Sequence, residues 1–454
     1  MIILRPYQSA LIEGGRQAYR DGAKSVLFCL PTGGGKTITA STIVNGAAQK
    51  RNTVWWLTHR RELVAQASRT FYDLNIPHGT IQAGHISDPC ASVQVASIQT
   101  IANRIEQLPE PALIIFDEAH HIGSASWDAL FHRFPNARKL GLTATPWRLD
   151  GQGLGTWFDV MVEGPTVAEL IKAGSLSPYR YFAPSKPDLS GVAVTGGDYQ
   201  RGALAKAMAR PQIVGDAIGH YQALCAGKRA VVFAAGVENS KQVAAQFNAA
   251  GISAEHVDGA MHPDQRDAAV ERFKDGRTLI LSNADLFGEG FDVPAIEAAI
   301  LLRPTKSLSL HLQQCGRALR PMPGKTAVIL DHAGNIDHHG LPDDVREWDL
   351  ADREKRKKRD SAEVSVRQCK QCFFVFRPAP KCPGCGHAAG PTAREIEVIE
   401  GRLEEVRRDH ERRHTQSEER DCVTLDDWQD LAARRGYKSG WAIIRWQARQ
   451  RRAA

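Results

Sequence analysis

The 454-residue sequence lacks most features that mark secreted, membrane or repetitive proteins. No apolar run approaches the ~20 residues that a membrane-spanning helix needs, and no charged and then apolar leader precedes Arg5. Apart from one group of four, the nine cysteines are scattered, so they do not form the framework of a disulfide-rich secreted domain. No internal repeat or low-complexity tract is evident. We therefore expect a globular chain in a reducing cytoplasm, with no membrane partner.

Composition and charge limit the number of domains and the kind of partner that the chain can have. A chain of this length should form about three domains, and 43% hydrophobic and 24% charged residues are ordinary for a globular protein. The formal net charge is +7, and residues 431–454 alone carry seven lysines and arginines and no acidic residue. A polyanionic partner is one interpretation of this basic tail, and a solvated surface is the other.

A glycine-rich stretch, residues 30–37 (LPTGGGKT), lies between a predicted buried strand at 26–30 and a predicted helix at 38–48. Its three consecutive glycines let backbone N–H groups surround an anion at the helix N-terminus. Lys36 would then reach the β- and γ-phosphates of a nucleoside triphosphate, and Thr37 would complete a Mg²⁺ shell. The strict pattern has glycine where this sequence has leucine, so the match has an apolar lead-in.

An acidic turn, Asp117-Glu118-Ala119-His120, directly follows the predicted strand 113–116. This position would bring two carboxylates to the carboxyl edge of a sheet, beside the phosphate loop. Asp117 would hold Mg²⁺, Glu118 would deprotonate the attacking water, and His120 would sense the γ-phosphate. Acidic turns after strands are common, so the hypothesis depends on the combination with the glycine loop.

A polar and basic run, residues 313–320 (QQCGRALR), lies far along the chain. Phosphoryl transfer needs positive charge where negative charge develops. Arg317 and Arg320 are three apart on a predicted helix, so they would share a face and could both reach across a cleft. A surface helix with two solvated arginines is the alternative.

Two successive blocks of short apolar runs alternate with helical patterns. Continuous apolar strands between helices predict an α/β fold with two tandem parallel-sheet lobes, the second of which has no phosphate loop. The predicted divisions are a first lobe at 1–175, a connecting segment at 176–205, a second lobe at 206–340, a charged linker at 341–364, a four-cysteine module at 365–390, and a helical, basic and aromatic C-terminal region at 391–454.

The clustered cysteines have the spacing C-x₂-C-x₉-C-x₂-C, which is typical of a four-thiolate zinc ribbon. They are Cys369, Cys372, Cys382 and Cys385. Because protein sulfur would fill all four positions, the Zn²⁺ would be structural. A hairpin over 373–381 fits between the pairs, and its phenylalanines favour a small core over a stacking surface. Four unligated cysteines are the alternative.

Beyond the cysteines, helical patterns are predicted at 394–413, 424–435 and 439–446. Aromatic and basic residues alternate in the last part, which suits a surface that stacks bases and binds phosphates. The candidates for that surface are Tyr437, Lys438 and Trp441. An equally supported interpretation is that Trp428, Trp441 and Trp446 form the core of a two-helix cap.

Taken in order, these motifs resemble those of superfamily 2 helicases of the DEAH-containing kind, and more narrowly the RadD-type and phage-encoded DNA helicases. The resemblance covers roughly residues 1–335. The matching segments are RPYQ (5–8), PTGGGKT (31–37), THRREL (58–63), DEAH (117–120), TATP (143–146), VFA (232–234), SN (282–283), GEGFDVP (288–294) and QQCGRALR (313–320). A box at 436–442 is similar to one found in phage helicases.

The resemblance implies two RecA-like lobes with ATP and Mg²⁺ bound between them, and it implies a role for each matching residue. ATP and Mg²⁺ would be bound by Arg5, Gln8, Pro31, Thr32, Gly33, Gly34, Gly35, Lys36, Thr37, Asp117, Gly290 and Asp292. The catalytic residues would be Lys36, Asp117, Glu118, His120, Gln313, Arg317 and Arg320. Thr143 and Thr145 would couple this site to the nucleic acid, whose backbone would be contacted by Thr58, Arg60, Ser97, Thr100, Phe233, Ser282 and Asn283.

The sequence therefore predicts an ATP-dependent DNA helicase or translocase in DNA repair, recombination or replication. Its partner would be single-stranded or branched DNA, with single-strand-binding or repair proteins as further candidates. Three alternatives stay open. They are an RNA helicase, a nucleic-acid-binding module that ATP switches without unwinding, and the motor subunit of a restriction or repair complex. No nuclease constellation is visible in the sequence, so any cleavage would come from a partner.

Overall fold

The computed structural model describes residues 3–148, 152–184, 187, 189–195, 198–208, 211–284, 296–351, 366–388, 422, 424–435, 437, 440–443 and 445–447. The chain divides into two compact units, Met1–Ala388 and Ala389–Ala454. Among the helices in these ranges, none combines the length and the apolar character that crossing a membrane requires.

The first lobe is built on an eight-stranded sheet. Its strands are β1 Ser25–Cys29, β2 Val54–Thr58, β3 Gly79–Gln82, β4 His85–Ser87, β5 Val93–Ser97, β6 Leu113–Asp117, β7 Arg138–Thr143 and β8 Val160–Glu163. The order across the sheet is β4-β3-β5-β2-β6-β7-β1-β8, and every pair is parallel except β3 with β4. The helices are α1 Pro6–Arg20, α2 Lys36–Gln49, α3 Arg61–Asp73, α4 Ile98–Ile101 and α5 Ala125–Arg133. A further helix, α6 Val167–Lys172, follows β8, and its Leu170 is buried in the core of the second lobe.

The core of this lobe explains why its strands are continuously apolar. Helices cover both faces of the sheet, so successive side chains along a strand are buried on opposite sides. Trp55 and Trp56 in β2 are both completely buried, and each belongs to a different hydrophobic cluster. The predicted strand at 26–30 is present one residue earlier as β1, and the predicted helix at 38–48 is present from Lys36.

The second lobe is built on a six-stranded sheet in which every pair is parallel. Its strands are β9 Tyr179–Phe182, β12 Ala230–Ala234, β13 Ala254–Val257, β14 Ile280–Asn283, β15 Ala298–Leu302 and β16 Ala327–Asp331, and a separate hairpin consists of β10 Val194–Thr195 and β11 Asp198–Tyr199. The order is β13-β14-β12-β15-β16-β9. The helices are α7 Arg201–Met208, α8 Pro211–Cys225, α9 Val237–Ala249, α10 Pro263–Lys274, α11 Leu308–Leu319 and α12 Asn335–His339.

The predicted α/β class with two tandem parallel-sheet lobes is confirmed, but two segments differ from the expectation. The predicted connecting segment, 176–205, contains β9, which pairs with β16 and forms the edge of the second sheet. The predicted charged linker begins at 341, yet residues 341–351 are mostly half-buried. Leu341 joins the core of the second lobe, and Leu350 packs against a core cluster of the first.

The four-cysteine module contains a short antiparallel hairpin, β17 Arg367–Gln368 and β18 Val375–Phe376. The hairpin predicted over 373–381 is therefore misplaced, because the paired strands enclose the first cysteine pair. The module packs on the exposed edge of the second sheet. The amide of Ala183 donates to the carbonyl of Phe373 at 3.1 Å. The ring centroids of Phe182 and Phe374 are 5.4 Å apart.

The second unit is described around one helix, α13 Leu425–Arg434. The Thr424 side chain accepts from the Asp427 amide, and the Asp427 carboxylate accepts from the Thr424 amide, so this helix begins with a capping box. Trp428 is buried, and Trp441 and Trp446 pack partly against the same small cluster. The helix predicted at 394–413 lies outside the described residues.

Candidate active site

The glycine loop joins β1 to α2 with a backbone that only glycine adopts readily. Gly33 and Gly35 have φ angles of +84° and +87°, in the left-handed region. A Cβ at Gly35 would lie 2.5 Å from Nε2 of Gln8. In this structure the ammonium group of Lys36 donates to the carbonyl of Leu30 at 3.3 Å. The loop therefore has the conformation that the phosphate-binding motif requires.

The start of α1 lies against this loop. The hydroxyl of Tyr7 donates to the carbonyl of Gly34 at 2.9 Å. Gln8 is buried, and its Oε1 accepts from the amide of Arg5 at 2.9 Å. The guanidinium of Arg5 also donates to the carbonyl of Ser175 at 3.4 Å. The predicted nucleotide-contacting residues of the N-terminus are thus brought to the loop.

The acidic turn follows β6 at the same edge of the sheet. Burial, with a smaller effect from the neighbouring Glu118 charge, raises the pKa of Asp117 to about 7, and the Lys36 charge opposes this rise. Glu118 has a φ of +53°, an uncommon conformation for a non-glycine residue. Two adjacent carboxylates that are costly to ionise together are a suitable donor set for a divalent cation. The residues therefore fit Mg²⁺.

A hydrogen-bonded path leads from this turn to β7. Nδ1 of His120 lies 3.5 Å from Oε2 of Glu118 and 3.3 Å from Oγ1 of Thr143. The Thr143 hydroxyl donates to the carbonyl of Thr145 at 2.7 Å and accepts from its amide at 3.1 Å. Of the two predicted coupling threonines, Thr143 thus contacts the acidic turn, and Thr145 is bonded to Thr143.

A second path, built from rings, leads from His120 to the end of β2. The ring centroids of His120 and His121 are 4.3 Å apart, and those of His121 and His59 are also 4.3 Å apart. Nε of Arg60 donates to Nε2 of His59 at 3.1 Å. Sequence reasoning gave no role to His59 or His121, although His59 lies within the THRREL segment and His121 directly follows the acidic turn. Their contact depends on β2 and β6 being neighbours in the sheet.

Helix α11 of the second lobe faces the phosphate loop. A Cβ added at Gly316 would lie 2.7 Å from Cβ of Thr32, and one added at Gly33 would lie 4.0 Å from Cγ of Arg320. The helix ends at Leu319, so Arg320 is its C-cap. The prediction that Arg317 and Arg320 share a helical face is therefore wrong. The structure nevertheless brings Arg320 to the loop from across the cleft.

Gln313, on the same helix, is 2% exposed. Its Oε1 and Nε2 atoms are both buried, and neither makes a hydrogen bond to any residue that the structure describes. A buried amide without partners costs free energy comparable to a lost hydrogen bond. This glutamine therefore has two polar groups whose hydrogen-bonding capacity is unused among the described residues.

A cavity of about 180 Å³ lies between the two lobes beside the acidic turn. Residues of both lobes line it, among them Arg60, His120, His121, Phe233, Asn283 and Gln314. Three predicted nucleic-acid contacts, Arg60, Phe233 and Asn283, thus meet here. Thr58 and Ser282 are completely buried and do not line the cavity. The hydroxyls of Ser97 and Thr100 bond each other at 2.9 Å at the end of β5, away from it.

In the second unit, Tyr437 is half exposed and its ring centroid is 4.9 Å from that of Trp441. The Arg445 guanidinium lies 5.7 Å from the Trp441 ring. Trp428 is buried against the same ring, so packing and exposure occur on different faces of this cluster.

The predicted residues Lys438, Gly290 and Asp292 lie outside the described residues.

The sulfur atoms of the four clustered cysteines all lie within 4.8 Å of one another. Two of the Sγ pairs, Cys369 with Cys385 and Cys372 with Cys382, are 3.6 Å apart. A tetrahedral zinc with Zn–S bonds of about 2.3 Å separates its sulfur ligands by about 3.8 Å. The cluster therefore fits a zinc ion.

Comparisons with known proteins agree with this geometry. Residues 1–148 match the model of the type III restriction enzyme res subunit, and residues 216–322 match the helicase conserved C-terminal domain. A 51.5 kDa protein of a Lactococcus phage is 37% identical over 359 residues, which cover 79% of this chain and 76% of that protein. The chain belongs to the superfamily 2 helicases. It is a helicase-type ATPase motor, and both lobes of that motor are present.

Other superfamily 2 relatives are larger than the matched region. IRC3 of Saccharomyces cerevisiae, named as an ATP-dependent helicase, is 30% identical over 74% of this chain, which spans about half (52%) of the yeast protein. A type I restriction enzyme EcoAI endonuclease subunit of Escherichia coli is 31% identical over 39% of this chain and 23% of its own length.

Solved structures show the same fold. A fragment of an HsdR subunit of a type I restriction enzyme from Vibrio vulnificus superposes with a TM-score of 0.59 at 21% identity, covering 75% of this chain and 66% of the fragment. The type ISP restriction-modification enzyme LlaBIII, solved with DNA, gives 0.53 at 18% identity over 72% of this chain and 27% of its own. This likeness confirms two RecA-like lobes.

Proposed function

We propose that this superfamily 2 motor is an ATP-dependent DNA helicase or translocase of the DEAH-containing, RadD-like kind. The observation that carries the proposal is the contact between the phosphate loop of one lobe and helix α11 of the other, where Gly316 lies against Thr32. A site divided in this way is complete only when the lobes meet. ATP binding and release are thereby linked to lobe movement.

The proposed chemistry assigns each contacting group one task. Lys36 and the loop amides hold the β- and γ-phosphates, and Gln8 positions the adenine. Glu118 takes the proton of the attacking water, whose place Gln313 helps to fix. Arg317 and Arg320 offset the charge that develops on the γ-phosphoryl group. When bound, Mg²⁺ at Thr37 and Asp117 offsets the phosphate charge.

The link from chemistry to movement uses the contacts around the acidic turn. Loss of the γ-phosphate changes the position of His120, and the Thr143–Thr145 pair passes this change to the segment that follows β7. Arg60, Phe233 and Asn283 grip one strand through its backbone in the cavity between the lobes, so the grip carries no sequence preference. Repeated closure and opening then moves the strand.

DNA is proposed as the track because LlaBIII, a restriction-modification enzyme with the same fold, was solved bound to DNA. The same likeness supports a second candidate, the motor subunit of a restriction or repair complex. A measurement of the complex size in the native source distinguishes the two. An RNA track would need no change in any residue above.

The experiment is ATP hydrolysis by Lys36→Ala and Glu118→Gln, measured with single-stranded, duplex and forked DNA and with RNA of matched length at one stated salt concentration. Both variants should lose at least about 10²-fold in kcat, while a control at the exposed Val345, Val345→Ala, keeps wild-type turnover. Wild-type turnover in either variant would show that the site is wrongly assigned. Greater stimulation by RNA than by DNA would reject the DNA track.

A further inference from the structure

Residues 341–351 leave the second lobe after α12 and end on the first lobe, and we call them the strap. Leu341, at the start, is buried in the core of the second lobe. Leu350, near the end, packs against a core cluster of the first lobe. Five of these eleven residues are charged, and the sequence predicts a solvated linker, so the burial of both ends requires an explanation.

The first half of the strap is fixed to the second lobe by one arginine. Nη2 of Arg346 donates to the carbonyls of His339 at 2.9 Å and Leu341 at 2.8 Å. Its Nη1 donates to the carbonyls of Pro342 at 3.2 Å and Asp344 at 3.1 Å. Four bonds from one cation hold this turn in a single conformation, because hydrogen bonds to charged groups are the stronger ones.

The second half of the strap lies against the main chain of two glycines in the first lobe, Gly153 and Gly155. The Gly155 amide donates to the Leu350 carbonyl at 2.8 Å. A Cβ added at Gly153 would lie only 2.2 Å from that carbonyl oxygen and 2.4 Å from the main chain of Ala351. The rings of Trp348 and Trp147 meet edge to face, with centroids 4.8 Å apart. The two glycines therefore leave the space that the strap occupies.

We call the residues that contact the second half of the strap, Trp147, Gly153 and Gly155, its seat. The seat begins directly after the segment that carries the coupling threonines. Trp147 and Gly153 pair as an antiparallel bridge, and Trp147 follows the Thr143–Pro146 motif without a gap. A cavity of about 50 Å³ beside the seat is lined by Pro31 and Thr32 of the phosphate loop, by residues of α11, and by Arg346 and Trp348 of the strap. The strap thus forms one wall of the cleft where the two lobes meet.

We propose that the strap is a conformational clamp that favours the apposed arrangement of the two lobes. When it is seated, the cleft is held closed beside the phosphate loop. When it leaves the seat formed by Trp147, Gly153 and Gly155, the lobes separate more often, and the arginines of the second lobe face the loop for a smaller fraction of the time. The effect on ATP hydrolysis rests on the proposed function, whereas the effect on lobe separation does not.

The sharpest test is Gly153→Ala, because the added methyl group blocks the strap backbone without altering either tryptophan. Gly153 has no positive φ, so alanine is compatible with its backbone. The matched control is Gly219→Ala, where a Cβ in helix α8 meets nothing within 4 Å. Trp348→Ala unseats the strap from the other side, with Val345→Ala, at an 82% exposed strap position, as its control.

Small-angle scattering should give a larger radius of gyration for Gly153→Ala and Trp348→Ala than for wild type and both controls. ATP hydrolysis without nucleic acid should fall about tenfold in the same two variants, corresponding to a shift of about 1.4 kcal/mol in the lobe equilibrium. Saturating poly(dT) should restore ATP hydrolysis in both variants to within about twofold of the wild-type rate, because a bound strand also brings the lobes together.

An unchanged radius of gyration in both strap variants, or faster basal hydrolysis, would overturn the clamp. If instead the wild type shows no stimulation by poly(dT), the proposed DNA motor fails, and the scattering comparison still decides the clamp. Circular dichroism melting of all four variants shows that each is folded before either comparison is made.

Discussion

Gly316 of the second lobe lies directly against Thr32 of the phosphate loop, so closely that a Cβ at position 316 would be 2.7 Å from Cβ and 2.9 Å from Cγ2 of the threonine. The Cβ atom of Thr32 is fixed to the main chain, so it cannot be displaced without moving the loop or the helix. The main chains of the two lobes therefore approach at the point where the triphosphate is proposed to bind. Closeness of this kind makes a single methyl group a wedge between them.

Gly316→Ala should separate stability from activity. Within helix α11, alanine is favoured over glycine by about 1 kcal/mol, so the melting temperature of the second lobe should hold or rise. The methyl group should hold the lobes apart, and kcat for ATP should fall about tenfold or more because the arginines no longer meet the γ-phosphate. Steady-state hydrolysis and calorimetry on one preparation measure both effects.

The control for this wedge is the helical Gly219→Ala, whose added Cβ has no neighbour. It should gain stability in the same way and keep wild-type hydrolysis. If Gly316→Ala also kept wild-type kcat, the contact seen between the lobes would not be part of the catalytic cycle.

Much of this site was predictable because its chemistry is local in the sequence. The glycine loop and the acidic turn each need a few adjacent residue types after a buried strand, and continuous apolar runs such as 54–57 mark such strands. Strand β9 was missed because only two of its four residues, Tyr181 and Phe182, are buried. An edge strand of this length has too weak a pattern to separate it from a connecting segment.

The remaining parts depend on neighbours that the sequence does not specify. The stack of His59 and His121 exists because β2 and β6 are adjacent in the sheet, and strand order was not predicted. The sequence predicts a solvated linker at the strap because the segment 341–364 is rich in charged residues. Its anchors are main-chain carbonyls and the absence of a Cβ at Gly153, and neither leaves a compositional signal.

The histidine stack gives a prediction about coupling. His121→Ala removes the ring between His120 and His59, and so breaks the contact between the acidic turn and the segment that carries Arg60. Hydrolysis without nucleic acid should stay within about twofold of wild type, whereas stimulation by poly(dT) should fall about fivefold or more. His121→Phe should restore much of the stimulation, since it keeps an aromatic ring in place.

The comparison of basal with stimulated turnover separates coupling from general damage. A merely structural role for His121 would lower both rates together. Equal stimulation in wild type and His121→Ala would show that the stack carries no signal.

Buried histidines of the second lobe predict acid sensitivity. Burial, with a smaller effect from nearby His220, lowers the pKa of His332 to about 3, against about 6.5 in an unfolded chain. Between these values the unfolded chain binds more protons, so the free energy of unfolding falls as pH drops below about 6.5. At pH 5 the loss from this group should be about 2 kcal/mol.

His332→Asn should reduce this acid-induced loss, whatever its effect on stability at neutral pH. Denaturant unfolding of the second-lobe transition at pH 7 and pH 5 gives the two differences. The same decrease in both proteins would mean that the acid sensitivity arises elsewhere, for instance at the buried His311, whose pKa burial also lowers.

The four-cysteine module gives the last prediction. Residues 366–388 bury few apolar side chains apart from Val375 and Phe376, which is too little for so short a segment to fold alone. A zinc ion bound by four thiolates would supply the missing folding free energy. Freshly purified protein should therefore contain about one zinc per chain, and Cys372→Ser should lose most of it.

Loss of the metal should be felt at the edge of the second sheet, because the module lies on β9. The Ala183 amide, which donates to Phe373, should exchange hydrogen much faster in Cys372→Ser than in wild type. The matched control is Cys90→Ser, at an exposed cysteine outside the cluster. ATP hydrolysis should change little, since β16 still pairs with β9 on its other side. Zinc content well below one per chain in the wild type, with a protected Ala183 amide, would mean that packing on β9 alone folds the module.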